Sequence, residues 1–275
     1  MKIILTGATG NVGTEVLDQA IAHNYIEHIY CITRKPLDRK YFGASHGLPP
    51  RLAVTALLTP TASPDKKARG KVTELVNDNF LEYPDSLTRF LREAGVEGCI
   101  WALGSKLSPD PKKRDEEEKV RISYPVAAAE AFAKSLATAL SPQRMPKKKF
   151  PFRFIFVSAS GAEQDQFRTL WVYNDWRKMK GAAEKAIFDI ADSSETVQGH
   201  KCFEAIALRP GQVIARGDDT STLLWEATVT SIAVDRLAKC ALKMALMGTG
   251  DEKKRILENK QCLGDDWAAI NTLRI

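Results

Sequence analysis

Three glycines spaced three residues apart lie near the amino end, where TGATGNVG follows the apolar run KIIL. The first glycine of this stretch permits a tight turn, the second lets the backbone approach a pyrophosphate, and the third lets a helix pack closely on the preceding strand. Free N–H groups at the start of that helix, with its dipole behind them, can hold phosphates. We therefore predict a dinucleotide-binding turn, with contacts from Gly7, Thr9, Gly10, Asn11, Val12 and Gly13.

The end of the second apolar run, HIYCIT, bears on the choice of dinucleotide. It is followed by Arg34 and Lys35, and the first acidic residue after them is Asp38. An acidic side chain at this point hydrogen-bonds the ribose 2′-hydroxyl of NAD, whereas a cation accommodates a 2′-phosphate. A planar guanidinium also suits a phosphate and can stack on adenine. The sequence predicts that NADP(H) is preferred over NAD(H).

Along the chain, short apolar runs alternate with stretches of helical periodicity. Such alternation predicts an α/β fold with a doubly wound parallel sheet, the Rossmann fold. The predicted strands cover 2–7, 28–33, 71–76, 97–103, 152–158 and 203–210. The predicted helices cover 12–22, 84–94, 116–140, 176–191 and 231–247. Polar or breaker-rich stretches at 43–70, 141–151 and 192–200 are expected to be surface loops.

The length of 275 residues fits a single NAD(P)-binding domain over 1–275, in which roughly 211–275 caps the substrate side. The net charge of +6 comes partly from basic clusters at 112–114, 147–149 and 253–255. Proline or acidic residues flank them and no aromatic residues interleave, so we expect solvated loops and no nucleic-acid partner. A basic balance also suits an anionic cofactor or substrate. The expected partner is a small-molecule substrate, and a homodimer stays open.

Membrane, metal and disulfide functions are not expected. The chain has no apolar run long enough to span a bilayer, and no basic-then-apolar leader precedes the first strand. Five scattered cysteines without a CxxC pair indicate a reducing compartment, so we expect a cytoplasmic protein. The four histidines show no ligand spacing, and no metal site is predicted.

Seven short motifs occur in one order along about 210 residues: TGATGNVG, CITRK, ND, WALGSK, VSASGA, KGAAEKAI and LRPG. In this order the chain resembles the extended and atypical short-chain dehydrogenases/reductases, in particular their NmrA-like and Tat-interactive-protein-like branch. The resemblance implies further contacts with the cofactor. Asp78 and Asn79 would lie near the adenine. Four residues that follow strands would contact the remainder of the cofactor: Ala102, Leu103, Gly104 and Pro210.

The resemblance also implies a Tyr-x-x-x-Lys pair, in which the lysine binds the nicotinamide ribose and lowers the pKa of the tyrosine. The tyrosine exchanges a proton with the substrate oxygen. Matching KGAAEKAI places Lys180 at the lysine and Trp176 at the tyrosine. An indole N–H is only a donor and cannot exchange a proton at ordinary pH. The chain therefore departs from the family pattern at a catalytic position.

Two replacements for the tyrosine stay open. Tyr173 lies seven residues before Lys180 on the same helix face, and alternatively Tyr173 and Arg177 form the pair in a shifted register. Ser158 and Ser160 follow the fifth strand and could orient the substrate or simply satisfy local backbone groups. One turn after Lys180, Glu184 is expected to be a solvated helix charge.

Three functions are compatible with this sequence. The first is an NADPH-dependent oxidoreductase acting on a small carbonyl or enone-like substrate. The second is a redox-neutral isomerase or cyclase that uses bound NADP(H) structurally, as the loss of the tyrosine would permit. The third is a non-enzymatic NADP-sensing regulator that binds another protein, which the NmrA-like resemblance allows.

Overall fold

The computed structural model describes residues 1–34, 70–105, 111–140, 151–171, 174–197, 200–215, 231–251 and 253–264. The predicted α/β fold is confirmed within these residues. The strands are β1 Lys2–Thr6, β2 His28–Thr33, β3 Val72–Val76, β4 Gly98–Trp101, β5 Phe152–Val157, β6 Thr196–Val197, β7 His200–Lys201, β8 Phe203–Arg209, β9 Gln212–Ile214, β10 Ser231–Ala233 and β11 Ile256–Glu258. The α-helices are α1 Asn11–Ala22, α2 Asp85–Glu93, α3 Arg114–Glu118, α4 Tyr124–Ser135, α5 Asn174–Ser193, α6 Val234–Met247 and α7 Asn259–Cys262.

Seven of the described strands form one parallel sheet in the order β3-β2-β1-β4-β5-β8-β11. All six predicted strands belong to it. Chain order reverses on the two sides of β1, so the carboxyl ends of β1 and β4 border the crevice in which such sheets bind ligands. Two pairs, β9–β10 and β6–β7, lie outside this sheet.

The strands are apolar throughout because helices cover both faces of the sheet. Alternate residues of β1 show this directly: Ile3 and Leu5 pack in the layer of α1 and α6, whereas Ile4 packs in the layer of α2 and α4. Aromatic rings fill much of the second layer, including Trp101 stacked on Phe154 with centroids 6.1 Å apart. Helix α5 packs beside α4 on this face.

The helix predicted over 116–140 is interrupted. It consists of α3, a π-helical turn at Lys119–Ser123, α4, and a 3-10 turn at Ala137–Leu140. Pro125 has no N–H to donate to the carbonyl of Arg121 four residues earlier, so a regular α-helix cannot continue through this point. The helix predicted to start at residue 231 begins at Val234, because the three residues before it pair with β9.

The region 211–275 supplies β11 and α6 to the main sheet and its covering layer. Its residues 216–230 and 265–275 lie outside the described part of the chain, so a cap over the substrate side stays a prediction. All five cysteines are free and buried. In the part of the chain that the structure describes, no helix combines the length and apolar character needed to cross a bilayer.

Candidate functional site

The glycine turn after β1 is compact because main-chain atoms come very close together. Gly7 has a φ of +72°, and a Cβ at this position would lie 2.6 Å from the carbonyl carbon of Ala102. A Cβ at Gly13 would lie 2.0 Å from the Gly7 oxygen. The Gly10 amide donates to that same oxygen across 2.9 Å. The first glycine therefore makes the turn and the third permits close packing of α1 on β1.

Helix α1 presents free amides at this edge of the sheet. Gly10 is its N-cap residue, and neither a capping side-chain hydrogen bond nor an acidic residue occupies its first turn. The Thr14 amide makes the first hydrogen bond to Gly10, so the amides of Asn11, Val12 and Gly13 have no partner within the helix. Thr9, Gly10 and Asn11 are exposed. This end can bind an anion by the partial positive charge of its N–H groups.

Other predicted cofactor contacts lie along the same edge. Arg34 is exposed directly after β2, whereas Lys35 lies outside the described residues. Asp78 and Asn79 are exposed after β3, and the Asn79 carboxamide accepts a hydrogen bond from the Leu81 amide at 3.1 Å. The structure brings the end of β4 directly against the glycine turn; the predicted residues there are Ala102, Leu103 and Gly104.

Lys180 lies on α5 beside the carboxyl end of β5. Its Nζ donates to the Val157 carbonyl across 3.1 Å and stands 4.9 Å from the centroid of the Phe156 ring. Only 8% of the residue is exposed. Burial is the main cause that lowers the pKa of Lys180 to about 8; the charge of Arg121 lowers it further, and Glu184 opposes both. The amine can therefore release a proton at mildly alkaline pH.

The helix turn before Lys180 carries the other residues predicted for proton transfer. Trp176 is half-buried one turn before Lys180, and Tyr173 lies outside the described residues. Arg177 donates from Nε to the Gly161 carbonyl across 2.5 Å. That bond ties Nε of Arg177 to the loop after β5. The shifted register, in which Arg177 would bind ribose hydroxyls, stays a prediction.

The two serines after β5 have different environments. Ser158 is buried, and its hydroxyl donates to Oε1 of Glu184 across 2.5 Å. Its single hydrogen is therefore directed into the protein rather than toward the crevice. Ser160 is exposed, and its amide donates to the carbonyl of the buried Pro210 across 2.7 Å. Of the two serines, only Ser160 presents its side chain at the surface.

The expectation that Glu184 is a solvated helix charge is wrong, because its side chain is completely buried. Arg209 holds the carboxylate with Nε at 2.9 Å and Nη2 at 2.6 Å, and the Gln164 amide donates to it at 2.9 Å. Arg209 also reaches Glu258 at 2.9 Å. These bonds and ion pairs raise the pKa of Arg209. The network fastens α5 to the ends of β5, β8 and β11.

Arg121 is a functional candidate that the sequence did not reveal. It lies in the π-helical turn, where only 2% of the residue is exposed. Nε donates to the Ser105 hydroxyl at 3.1 Å and Nη2 to the Ser105 carbonyl at 3.1 Å, and Glu117 lies 3.6 Å from Nη2. Nη1 is buried without a hydrogen-bond partner. The available sequence signal was Pro125, which breaks the helix ladder four residues later.

Two cavities lie away from this edge. They measure about 370 and 400 Å³ and share Met247, Gly248 and Gly250 in their walls. The larger one is also lined by Arg153 and Glu204, near the amino ends of β5 and β8. None of the predicted site residues lines either cavity.

Comparison with known proteins adds to this geometry. No family model matches the chain. A curated relative, leucinostatins biosynthesis cluster protein T of Purpureocillium lilacinum, is 28% identical over 190 residues, which are 69% of this chain and 52% of the relative. The chain thus spans about half the length of the curated relative it matches. Solved structures match over nearly the whole chain.

A short-chain dehydrogenase/reductase from Saccharomyces cerevisiae superposes with a TM-score of 0.62, covering 97% of this chain and 98% of its own at 14% identity. The yeast methylglyoxal/isovaleraldehyde reductase Gre2, complexed with NADPH, superposes with a TM-score of 0.56, covering 94% of this chain and 78% of its own at 13% identity. The chain shares its fold with these two proteins. The resemblance predicted from the sequence is thereby confirmed at the level of the fold, while the NmrA-like branch stays a prediction.

Within this fold, the candidate site has two parts on one edge of the sheet. The glycine turn and the first turn of α1 offer N–H donors for phosphates. Lys180 offers a buried amine two strands away, next to the end of β5. Among the described residues, no group of three or more His, Cys, Asp or Glu side chains could hold a metal ion.

Proposed function

We propose that this protein binds NADP(H) and acts as an oxidoreductase on a small carbonyl or enone-like substrate. The observation that carries the proposal is the placement of Lys180 on the same sheet edge as the glycine turn, which itself lies where strand order reverses. Ligands of doubly wound sheets bind in that crevice. The fold shared with the NADPH complex of yeast Gre2 supports the same reading.

The residues present fit a dinucleotide. Gly7 and Gly13 lack the side chains that would fill the turn, and the amides of Asn11 and Val12 are free within the helix. These groups would hold the pyrophosphate. Arg34, exposed after β2, would bind the 2′-phosphate of the adenosine half and thereby favour NADP(H). When bound, the nicotinamide supplies a hydride.

The chain itself must manage the proton that accompanies that hydride. Trp176 cannot exchange one, and the Ser158 hydroxyl is directed to Glu184. Lys180 holds a proton at Nζ that it can release near pH 8, and it would also bind ribose hydroxyls as the family resemblance implies. We propose Lys180 as the central catalytic residue, with Tyr173, Ser160 or water as the groups through which the proton passes.

A redox-neutral isomerase or cyclase with structurally bound NADP(H) is the second candidate. Two observations favour it: Trp176 stands at the position of the tyrosine, and the Ser158 hydroxyl donates to Glu184 instead of facing a substrate. The curated relative's description as a biosynthesis cluster protein supports a small-molecule substrate for either reaction. Cytoplasmic location, homodimer formation and the absence of nucleic-acid and membrane partners remain proposals from the sequence.

Calorimetry followed by turnover assays tests the proposal. Purified protein is titrated with NADPH, NADP and NADH, then the NADPH-loaded protein is mixed with a panel of small ketones, aldehydes and enones. Heat on NADPH addition together with cofactor consumption supports the oxidoreductase. Binding without consumption, with a product of unchanged mass, supports the isomerase. No heat with any of the three nucleotides overturns both.

A further inference from the structure

Arg121 is a buried cation whose hydrogen-bonding capacity is only partly used. Ser105 accepts from Nε and Nη2, and Glu117 lies 3.6 Å from Nη2. Nη1, with its two hydrogens, has no partner although its surroundings exclude water. Buried polar groups without a partner are uncommon and costly, and they point to a ligand, an ion or a water at that place.

A second cation, Lys180, lies on the helix that packs against this turn. The π-helical turn that carries Arg121 packs against α5, and the charge of Arg121 lowers the pKa of Lys180. Glu184, the carboxylate whose charge raises the pKa of Lys180, already accepts bonds from Arg209, Ser158 and Gln164. The Lys180 amine donates to the Val157 carbonyl and has further hydrogens to donate. The two cations together therefore offer donors and no acceptor.

We propose that Nη1 of Arg121 and Nζ of Lys180 jointly bind a carboxylate of the substrate. A carboxylate accepts charge-assisted hydrogen bonds from both groups and relieves their mutual repulsion, which a neutral carbonyl would leave in place. Single π-helical turns inside helices occur often at functional sites, and here the turn directs a guanidinium to the end of β4. The substrate class is thus a small carbonyl compound that carries an acid group.

This inference rests on the proposed function and is tested with pyruvate as the probe. The NADPH-loaded protein is treated with a limiting amount of an acetylating reagent, for which its lysines compete, at a series of pH values and constant ionic strength. Mass spectrometry then gives the midpoint, the pH at which half of the maximal acetylation of Lys180 is reached. Exposed Lys185 on the same helix is the internal reference. Pyruvate should raise the Lys180 midpoint by about one pH unit, because an anion favours the protonated amine. Uncharged methyl pyruvate should leave it unchanged.

The variants Arg121→Gln and Arg121→Lys show whether the guanidinium takes part. The glutamine variant should lose the pyruvate-dependent shift, and the lysine variant should keep part of it. The wild-type measurement stands independently if a variant does not fold. No pyruvate shift in the wild type, an equal shift with methyl pyruvate, or an undiminished shift in Arg121→Gln would each overturn the inference. Heat of NADPH binding in the same preparation separates these outcomes from failure of the proposed function.

Discussion

The Ser158 hydroxyl is hydrogen-bonded to the Glu184 carboxylate across 2.5 Å, and the pair joins the end of β5 to the middle of α5. Since Lys180 lies one helical turn before Glu184, this bond and the Arg209 ion pair fix the orientation of the helix that carries the candidate catalytic amine. Ser158, one of the two serines that could orient the substrate or satisfy local groups, therefore connects this helix to the sheet.

Removing Arg209 should destabilise the fold strongly. The Arg209→Met substitution leaves the fully buried Glu184 carboxylate without its ion-pair partner, and loss of such a partner costs about 3–5 kcal/mol. Urea unfolding measures the effect. The matched control is Arg168→Met, because Arg168 pairs with Glu163 at a largely exposed position and should contribute less than about 1 kcal/mol. Equal losses in the two variants would contradict the assignment.

Alanine at Gly13 should disrupt the turn. Its Cβ would lie 2.0 Å from the Gly7 oxygen, so the helix must move away from the strand, at a cost of roughly 1–3 kcal/mol or more. The same shift should weaken NADPH binding in calorimetry. Gly104→Ala is the stability control, because a Cβ there meets no atom within 4 Å. A Gly13→Ala protein with wild-type unfolding and binding would refute the turn's close approach.

Lys180 predicts a particular pH dependence of stability. Its pKa is about 8 in the folded protein against 10.5 for an ordinary lysine, so the unfolded chain binds more protons between these limits and wild-type stability rises with pH there. Lys180→Met removes this dependence. Between about pH 7 and pH 10.5, the free energy of unfolding of the wild type should therefore rise by up to about 3 kcal/mol relative to that of the variant. Denaturant unfolding across this range should show it, and parallel curves would exclude a depressed pKa.

Arg34 should determine the choice between the two nicotinamide cofactors. In Arg34→Ser, a charge-assisted contact with the 2′-phosphate is lost, and NADPH affinity should fall roughly ten- to a hundredfold, as expected for loss of about 1.5–3 kcal/mol. NADH affinity in the same variant serves as the control and should change little. Calorimetry with both nucleotides provides the comparison. Parallel losses of both would assign Arg34 another role.

Trp176→Tyr tests the missing proton donor. A phenol one turn before Lys180 would restore the Tyr-x-x-x-Lys arrangement that the family resemblance implies, and general acid catalysis contributes about 10²–10⁴-fold. We expect the rate of NADPH-dependent carbonyl reduction to rise toward that range. Trp176→Phe, which removes the indole without adding a hydroxyl, is the matched control. An equal rate in the two variants would show that the proton comes from elsewhere.

The strands of the sheet could be predicted from the sequence because each is specified by the residues of its own short segment. Each of the six predicted strands is a short apolar run, as strands covered on both faces must be, and the glycine spacing identified the close contact between β1 and α1. The edge strand β11 was missed, since Ile256–Glu258 is only three residues long and lies among charged residues.

The site was less predictable because its key contacts join distant parts of the chain. Glu184 has the helix position of a solvated charge, and only the approach of Arg209, 25 residues away, explains its burial. Arg121 is bonded to Ser105, 16 residues earlier, through a helix irregularity that periodicity cannot locate. Ser158 was identified as a candidate because it follows the fifth strand, but the direction of its hydroxyl is set by the Glu184 carboxylate, which the sequence does not place nearby.

Main-chain atoms of Ala102 and Leu103 lie so close to Gly7 that no side chain fits between them. Side-chain rotamers therefore cannot reshape this part of the sheet edge. A nucleotide that bound at this edge would lose its own conformational freedom, whereas the protein would reorganise little. Preorganised sites gain affinity in this way. The choice between nucleotides would then depend on side chains farther along this edge, such as Arg34.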